Sequence, residues 1–408
     1  MPCLGLILML SLYPPVDSPD IVDNGRLPAG ARITLKFEED LRIGPDSGDH
    51  ALWSGASITV DTNKKGHIFV TDPGGNRVLH YDASGNLVKQ IGGPGEGPGE
   101  FQFLGSFKIL NNQTAIAFDN LQTAVSFNYF DAETNYLKSD KRSSFGFIIK
   151  SAVFSPNGKQ FGGFYMIPEG DSQTIKAYTG LLSSACEPLK PLSEVTLNRF
   201  DQTKMNNPSW WGPYLSQWFR MVAGGVGIFA FGQEGDVFTA TSGKYEITRW
   251  SSDLKQKKQV ICRDYKPIGQ GKDQVEAMVA SIKDELLTVI PAMLHDYVTD
   301  RAILEGLELA EMPEHKPPLF WVIPTEDDGL LAIHDYNPLT GASKADIFDK
   351  AGVFVGTTDL PPIKINFFGS VFGNNTKMIF ANGYAYAIED NDDEAVMVRY
   401  KVSRVSAR

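Results

Sequence analysis

The stretch from residue 57 to residue 92 constrains the fold most, because four short apolar runs follow one another with only turn sequences between them. The runs are SITVD, HIFVTD, RVLHYD and LVKQIG, and the connectors are TNKKG, PGGN and ASGN. Each run is about one strand long, and each connector holds the Gly, Asn, Asp or Pro that tight turns require. We therefore predict a four-stranded antiparallel meander.

Weaker copies of this unit recur along the chain, at residues 107–137, 152–182, 227–254, 319–355 and 377–402. The last copy ends after three strands, whereas a strand-like segment, ARITLKFEEDLRIG at 31–44, precedes the first copy. Placing this segment as the fourth strand of the last copy closes a ring and leaves fewer exposed strand edges. We predict an all-β fold, a single six-bladed β-propeller of four-stranded antiparallel blades at residues 31–403.

A family resemblance supports this architecture. The run GHIFVTDPGGNRVLHYDASGNLVKQIGGPGEGPGEF at 66–101 resembles an NHL repeat, and the whole chain resembles bacterial six-bladed β-propeller proteins related to that group. Residues 245–268 and 317–333 are similar to later blades of such proteins. The resemblance implies that Asp72, Asn76 and Arg77 brace a turn inside the blade.

The segment GGPGEGPGEF at 92–101 invites comparison with a phosphate-binding loop, but its residues argue against that role. Pro94 and Pro98 lack backbone N–H donors, and Glu96 and Glu100 would repel an anion. In the NHL-like interpretation this segment leads from the outer strand of one blade to the inner strand of the next, with Phe101 packed between blades.

Two segments depart from a plain ring. Residues 272–311 place apolar side chains at helical spacing before Pro291, which predicts a short helical insertion between blades four and five. The connection between blades three and four carries PSWWGPYLSQWF, an unusually aromatic sequence. Its rings, Trp210, Trp211, Tyr214 and Trp218, are candidates either for binding a sugar, a peptide or an apolar ligand or for sealing a gap between blades.

Composition limits the partners and the compartment. The net charge of -11 and pI near 5.1 argue against nucleic-acid binding. Within the N-terminal segment 1–30, the apolar run at 4–13 is the length of a signal-peptide core and too short for an integral membrane span. We predict a truncated signal peptide and a periplasmic or secreted protein; a buried N-terminal strand and a cytoplasmic protein are the alternative. Cys186 and Cys262 are either buried thiols or an oxidised pair.

No motif in the sequence assigns chemistry. The histidines, among them His67, His80 and His334, lack metal-binding spacing, and the acidic runs at 326–328 and 389–394 lack the spacing of a calcium loop. We predict no metal ligands by residue, although calcium or another divalent cation in the central channel remains an alternative. The leading hypothesis is a propeller that binds or scaffolds a protein, peptide or glycan. The alternative is a metal-dependent lactonase- or lyase-like hydrolase acting at the channel, so enzymatic activity and oligomeric state stay open.

Overall fold

The computed structural model describes residues 18–44, 58–121, 124–143, 152–168, 173–289, 292–337, 340–363, 377–391 and 394–406. The apolar run at 4–13 and Cys3 lie outside these residues. In chain order the strands are β1 Asp20–Asn24, β2 Ile33–Ile43, β3 Thr59–Thr62, β4 Ile68–Asp72, β5 Arg77–Tyr81, β6 Leu87–Gly92, β7 Leu104–Ile109, β8 Ala115–Asn120, β9 Ala124–Phe130, β10 Tyr136–Ser143, β11 Val153–Phe154, β12 Gln160–Pro168, β13 Thr174–Ser183, β14 Pro188–Asn198, β15 Gly227–Phe231, β16 Val237–Thr241, β17 Glu246–Trp250, β18 Lys257–Arg263, β19 Trp321–Pro324, β20 Leu330–Tyr336, β21 Ser343–Phe348, β22 Phe354–Leu360, β23 Met378–Ala381, β24 Tyr384–Asn391 and β25 Glu394–Ser406. The helices are α1 Pro208–Ala223, α2 Lys272–Val289 and α3 Asp300–Leu309, with a 3-10 turn at Ala292–Tyr297.

These strands form six antiparallel blades, and the predicted fold class is confirmed. Blades one to five are β3–β6, β7–β10, β11–β14, β15–β18 and β19–β22. Blade six consists of β23, β24 and β25 with β2 as its outer strand, in a register that pairs Ile33 with Ser406. Innermost strands of neighbouring blades contact each other, as β3 does with β7 and β15 with β19, and β23 of blade six contacts β3 of blade one. The ring is therefore closed by strands from distant parts of the chain.

The two faces of the ring differ in what they carry. We call the face at which the innermost strands begin the entry face and the face at which they end the exit face. Hairpins between the first and second strands of each blade lie at the exit face. The connections that contain α1, α2 and α3 leave an outermost strand and return to an innermost strand, so they join the ring at the entry face. The helices and the exit face are thus at opposite ends of the molecule.

The connector after the first blade is the predicted hinge. Gly92 has φ +73°, and a Cβ there would meet a ring carbon of Phe101 at 2.1 Å. The Phe101 ring is completely buried between blades one and two, and its amide donates to the Gly93 carbonyl at 2.9 Å. Because Gly92 has no side chain, the Phe101 ring can pack against it and fill the joint between blades one and two.

The predicted turn brace of blade one is also confirmed. Nε of Arg77 donates to Oδ2 of the fully buried Asp72 at 2.8 Å. The neighbouring Asn76 has φ 47°, and its Oδ1 accepts the Leu104 amide of blade two at 2.9 Å. One polar turn therefore holds its own hairpin and also fixes the next blade.

Residues 20–43 form an N-terminal strap around the outside of three blades. β1 lies parallel to β18 as a fifth strand on blade four. The buried side chain of Asn24 then reaches blade five, where Oδ1 accepts the Phe354 amide at 2.8 Å and Nδ2 donates to the Gly352 carbonyl at 3.0 Å. The chain continues past Thr358, whose hydroxyl donates to the Leu35 carbonyl at 3.0 Å, and enters blade six as β2. This strap connects blades four, five and six along their outer edges.

The helical insertion predicted between blades four and five is present as α2, the 3-10 turn and α3. A further helix, α1, occupies the aromatic connection between blades three and four and packs against α3. Asn207 caps α1 by accepting the Ser209 amide at 3.1 Å, and Pro208 begins the helix, a position that tolerates the missing N–H. A Cβ at Gly306 of α3 would lie 3.1 Å from the Gly212 carbonyl oxygen, so glycine allows the two helices to approach closely. No helix in the described part of the chain is both long and apolar enough to cross a membrane.

Candidate functional site

A cavity of about 510 Å³ opens at the exit face around the axis of the ring. All six innermost strands line it, and so do the turns that follow them. Because each blade supplies only a few residues, no continuous stretch of sequence encodes the cavity. We call this space the exit cavity.

The wall of the exit cavity combines polar and apolar surface in comparable amounts, and aromatic rings supply part of the apolar share. Its half-buried rings are Phe231 of blade four and Phe380 of blade six. Trp321 and Phe229 lie deeper, with ring centroids 6.0 Å apart in an edge-on arrangement. Such rings offer apolar area at low entropic cost to a ligand, because each has only two side-chain torsions.

One buried ion pair joins the innermost strands of blades one and two within this wall. Oδ1 of Asp61 accepts the Lys108 ammonium at 2.8 Å, and Oδ2 accepts the Ile109 amide at 2.7 Å. The Asp61 side chain is 8% exposed and that of Lys108 is 29% exposed. Each oxygen of Asp61 accepts one hydrogen bond. The carboxylate therefore links the innermost strands of blades one and two and holds the Lys108 ammonium in position.

Hydrogen bonds between turns of different blades fix the rim of the exit cavity. Asn382 of blade six donates to the Asn63 carbonyl of blade one at 3.0 Å, and Gln113 of blade two accepts the Lys64 amide at 3.0 Å. The side-chain amide of Gln233 reaches from blade four to the Phe380 carbonyl of blade six at 3.1 Å. These bonds hold the mouth in one shape, which pre-organises it for a ligand.

The charged side chains of the rim are divided by sign. Lys64 stands on blade one and Lys108 on blade two, whereas Glu234 stands on blade four and Glu326 on blade five. Oε2 of Glu326 accepts the Gly383 amide at 2.7 Å. Within the described residues neither the Lys64 ammonium nor the Glu234 carboxylate forms an ion pair, and both side chains are exposed. The mouth therefore has a basic side and an acidic side.

The four aromatic residues predicted as a ligand site lie away from this cavity, on α1. Trp211 is 1% exposed, and its indole N–H donates to the Met205 carbonyl at 2.9 Å. Trp210 and Tyr214 are half-buried and stack with ring centroids 4.5 Å apart, next to Phe200. The last ring, that of Trp218, packs against Phe164 of blade three at 6.1 Å. The helical period of α1 thus distributes the rings between the helical layer, blade three and a partly exposed edge.

Two histidines of blade one meet, an arrangement that the sequence analysis missed. Nδ1 of His67 and Nε2 of His80 are 2.8 Å apart, and the His80 ring stacks on Phe69 at 4.4 Å. Burial lowers the pKa of His80 to about 4, and the neighbouring His67 contributes to the shift. The register of β4 and β5 puts His80 opposite Phe69, and His67 is two residues before Phe69 on the same face. This strand register was the feature of the sequence from which the histidine pair could have been predicted.

The histidine pair fits a hydrogen bond better than a metal site. A metal on Nε2 of His80 would leave the ring proton on Nδ1, and that atom is buried without a hydrogen-bond partner. Metal-binding histidines almost always donate this second N–H to an acceptor. Within the described residues no group of three or more His, Cys, Asp or Glu side chains is placed to share a metal ion.

A second polar cluster joins blades four and five. The Asp346 carboxylate is fully buried, accepts the Tyr245 hydroxyl at 2.5 Å and the Thr357 hydroxyl at 2.9 Å, and forms an ion pair with Arg263. Burial raises the pKa of Tyr245 well above its usual value, and the adjacent Asp346 adds to the shift. Each oxygen of Asp346 is satisfied by side chains of the chain itself, which is typical of an internal brace.

The acidic runs and the cysteines take separate structural roles. Glu326 and Asp328 lie in a turn that faces solvent, whereas Glu389 is buried and bonded to the Tyr400 hydroxyl. Cys186 and Cys262 are both free thiols, the first buried and the second half-buried. Burial raises the pKa of Cys186 to about 11, so its thiol stays protonated at neutral pH.

Comparison with known sequences gives one family match. Residues 57–174 match the model of the DUF5128 family, described as a 6-bladed beta-propeller. The matched part contains blades one and two and the beginning of blade three. No curated protein sequence matches the chain.

Several solved structures resemble the chain. A protein from Bacteroides fragilis is 14% identical, with 94% of this chain and 99% of that chain covered and a TM-score of 0.45. A member of the DUF4221 family from Bacteroides vulgatus is 9% identical, with 92% and 99% covered and a TM-score of 0.45. Virginiamycin B lyase from Staphylococcus aureus is 8% identical, with 90% and 99% covered and a TM-score of 0.39. Because its six blades close into a ring and the family match lies within them, the chain is a six-bladed β-propeller.

Proposed function

We propose that the protein is a ligand-binding propeller whose binding site is the exit cavity. The observation that carries this proposal is the shape and lining of that cavity. Its volume falls within the range of about 300–1,000 Å³ that is usual for small-molecule sites. Its wall combines aromatic rings, which offer binding area, with polar groups fixed by hydrogen bonds, which can orient a ligand.

The state of Asp61 favours binding over hydrolysis at the channel. A divalent cation that binds a carboxylate has to compete with any ammonium that already pairs with the same carboxylate. Both oxygens of Asp61 are held by Lys108 and the Ile109 amide at 2.8 and 2.7 Å. A hydrolase that used Asp61 to hold a cation would have this competition with the Lys108 ammonium, whereas ligand binding uses the wall as it stands.

Ligand screening on a matched pair of variants tests the proposal. Phe231→Ser removes a half-buried ring from the cavity wall, and Phe103→Ser removes a ring that is 55% exposed on blade two outside the cavity. Panels of short peptides, amino acids and oligosaccharides are tested by thermal shift and by ligand-observed NMR. We expect a ligand that binds the wild-type protein and the Phe103 variant but binds the Phe231 variant at least about tenfold more weakly. Equal binding to all three proteins, or no ligand in any panel, contradicts the proposal.

The aromatic residues of α1 are a second proposed contact area. Trp210 and Tyr214 keep part of their surface exposed beside Phe200, which is 38% exposed. A protein or glycan partner that uses this edge would change the fluorescence of Trp210, and Trp210→Phe would remove that change. Binding to the exit cavity should be unaffected by the same substitution because the helices join the ring at its other face.

Export to the periplasm or the medium is proposed from the sequence at 4–13 alone. Expression of the full chain with its natural upstream codons, followed by fractionation, tests this proposal. Recovery of the protein in the cytoplasm with residues 4–13 intact would contradict export.

A further inference from the structure

The charges at the mouth of the exit cavity face one another across the axis of the ring. In a closed ring of six blades, blade one is opposite blade four and blade two is opposite blade five. Lys64 therefore faces Glu234, and Lys108 faces Glu326. The cavity presents positive charge on one side and negative charge on the other, and the wall between them mixes polar groups with the rings of Phe231 and Phe380.

The charges nearest to solvent are available to a ligand. Within the described residues, Lys64 and Glu234 form no ion pair with a neighbour, and both are exposed at the rim. Lys108 and Glu326 are already engaged, with Asp61 and with the Gly383 amide. Two opposite charges held apart by the ring cannot neutralise each other by contact, but a molecule lying between them can pair with both.

Few classes of small molecule match this arrangement. A neutral oligosaccharide would leave both charges without partners, and a simple anion or cation would satisfy one side and oppose the other. A short peptide with free termini carries an ammonium and a carboxylate at its two ends and apolar side chains between them.

From these charges we infer that the exit cavity binds short peptides as zwitterions. The peptide ammonium lies towards Glu234 and the peptide carboxylate lies towards Lys64, while apolar side chains contact Phe231 and Phe380. This inference rests on the proposed function, because it names the ligand class of the same cavity.

Blocked peptides, combined with charge-neutralising variants, test this inference. The probe is a set of tripeptides of apolar residues, each prepared with free termini, with an acetylated N-terminus and with an amidated C-terminus. The full-length protein is compared with Glu234→Gln and Lys64→Gln. The matched controls, Glu133→Gln and Lys159→Gln, neutralise exposed side chains on exit-face turns that do not line the cavity.

The expected pattern is specific for each terminus. Acetylation should weaken binding to the wild-type protein by about three- to fivefold, the range of a partly exposed ion pair, and should have no further effect in Glu234→Gln. Amidation of the peptide C-terminus should likewise weaken binding to the wild-type protein and should have no further effect in Lys64→Gln. Binding of the free peptide should also weaken as salt is added, and both control variants should behave like the wild type.

Two results would overturn the inference, and they differ from failure of the proposed function. Peptides that bind equally well with free and blocked termini would show a peptide site without zwitterion recognition. A second overturning result would be that neutral oligosaccharides bind, that peptides do not, and that Phe231→Ser weakens the oligosaccharide binding. The cavity would then remain a binding site, but peptides would be rejected as its ligand class. Only loss of all binding, or binding insensitive to Phe231→Ser, would remove the site itself.

Discussion

The Asp61 carboxylate accepts a hydrogen bond from the Lys108 ammonium at 2.8 Å, and this ion pair crosses the joint between blades one and two. Asp61 and Lys108 belong to neighbouring innermost strands, so the pair lies beside the axis of the ring. The same carboxylate accepts the Ile109 amide. This contact both orders the wall of the exit cavity and joins blades one and two near the axis of the ring.

Removing this carboxylate should destabilise the protein. Asp61→Ala leaves the Lys108 ammonium and the Ile109 amide without their acceptor, and we expect a loss of about 2–3 kcal/mol in the free energy of unfolding. Asp61→Asn keeps one acceptor and should lose less. Urea denaturation followed by tryptophan fluorescence measures both variants. A change under about 0.5 kcal/mol for Asp61→Ala would show that the pair contributes little.

The glycine at the blade hinge should not tolerate a side chain. Gly92→Ala combines a φ of +73° with a Cβ 2.1 Å from the buried Phe101 ring, so we expect a loss of about 3 kcal/mol. The adjacent Gly93→Ala is the matched control, because the nearest atom to its Cβ, on the Gln90 side chain, is 3.6 Å away. Thermal unfolding of the two variants should separate them clearly, and equal melting temperatures would contradict the hinge geometry.

The N-terminal strap should contribute to stability through Asn24. Asn24→Ala removes its bonds to the Phe354 amide and the Gly352 carbonyl and leaves both groups buried, for an expected loss of about 2 kcal/mol. Asp23→Ala, an exposed position on the same strand, is the control. Limited proteolysis gives a second measurement, since a loosened strap should be cut earlier. Identical cleavage rates and stabilities for the two variants would argue that β1 does not hold blades four and five together.

His80 should make the protein sensitive to mild acid. Its pKa is about 4 in the folded protein and near 6.5 when exposed, so the unfolded chain binds more protons between these values. The contribution of neutral His80 to the free energy of unfolding is fully present above pH 6.5. It is lost as the pH falls towards 4, and the loss reaches up to about 3 kcal/mol.

The experiment compares stability at pH 7 and pH 4.5 in the wild type, in His80→Phe and in His315→Phe. His80→Phe keeps an aromatic ring against Phe69 and removes the titrating group, so it should lose less stability on acidification than the wild type does. The exposed His315 serves as the control, and its variant should follow the wild type. A loss in His80→Phe as large as that of the wild type would contradict this assignment.

Local sequence was sufficient for the blades. The spacing of turn residues from Asn63 to Gly85 predicted the first meander, and the Asp72 to Arg77 brace followed from resemblance to an NHL repeat. These features depend on residues within one hairpin, where the chain geometry leaves few alternatives. The helices at 272–311 were predicted for the same reason, since a helical period is local.

Sequence alone did not predict the site or most of the polar contacts between blades. Asp61 and Lys108 are separated by a whole blade, and Lys64 faces Glu234 only because the ring closes. The same holds for Asn24, which reaches Phe354 from the other end of the chain, and for His67 and His80, which meet through strand register. The sequence by itself determined the repeating strands and the closed all-β ring that they imply. Only the tertiary structure decided which side chains share the axis, because that neighbourhood is created by closure of the ring and leaves no spacing in the sequence.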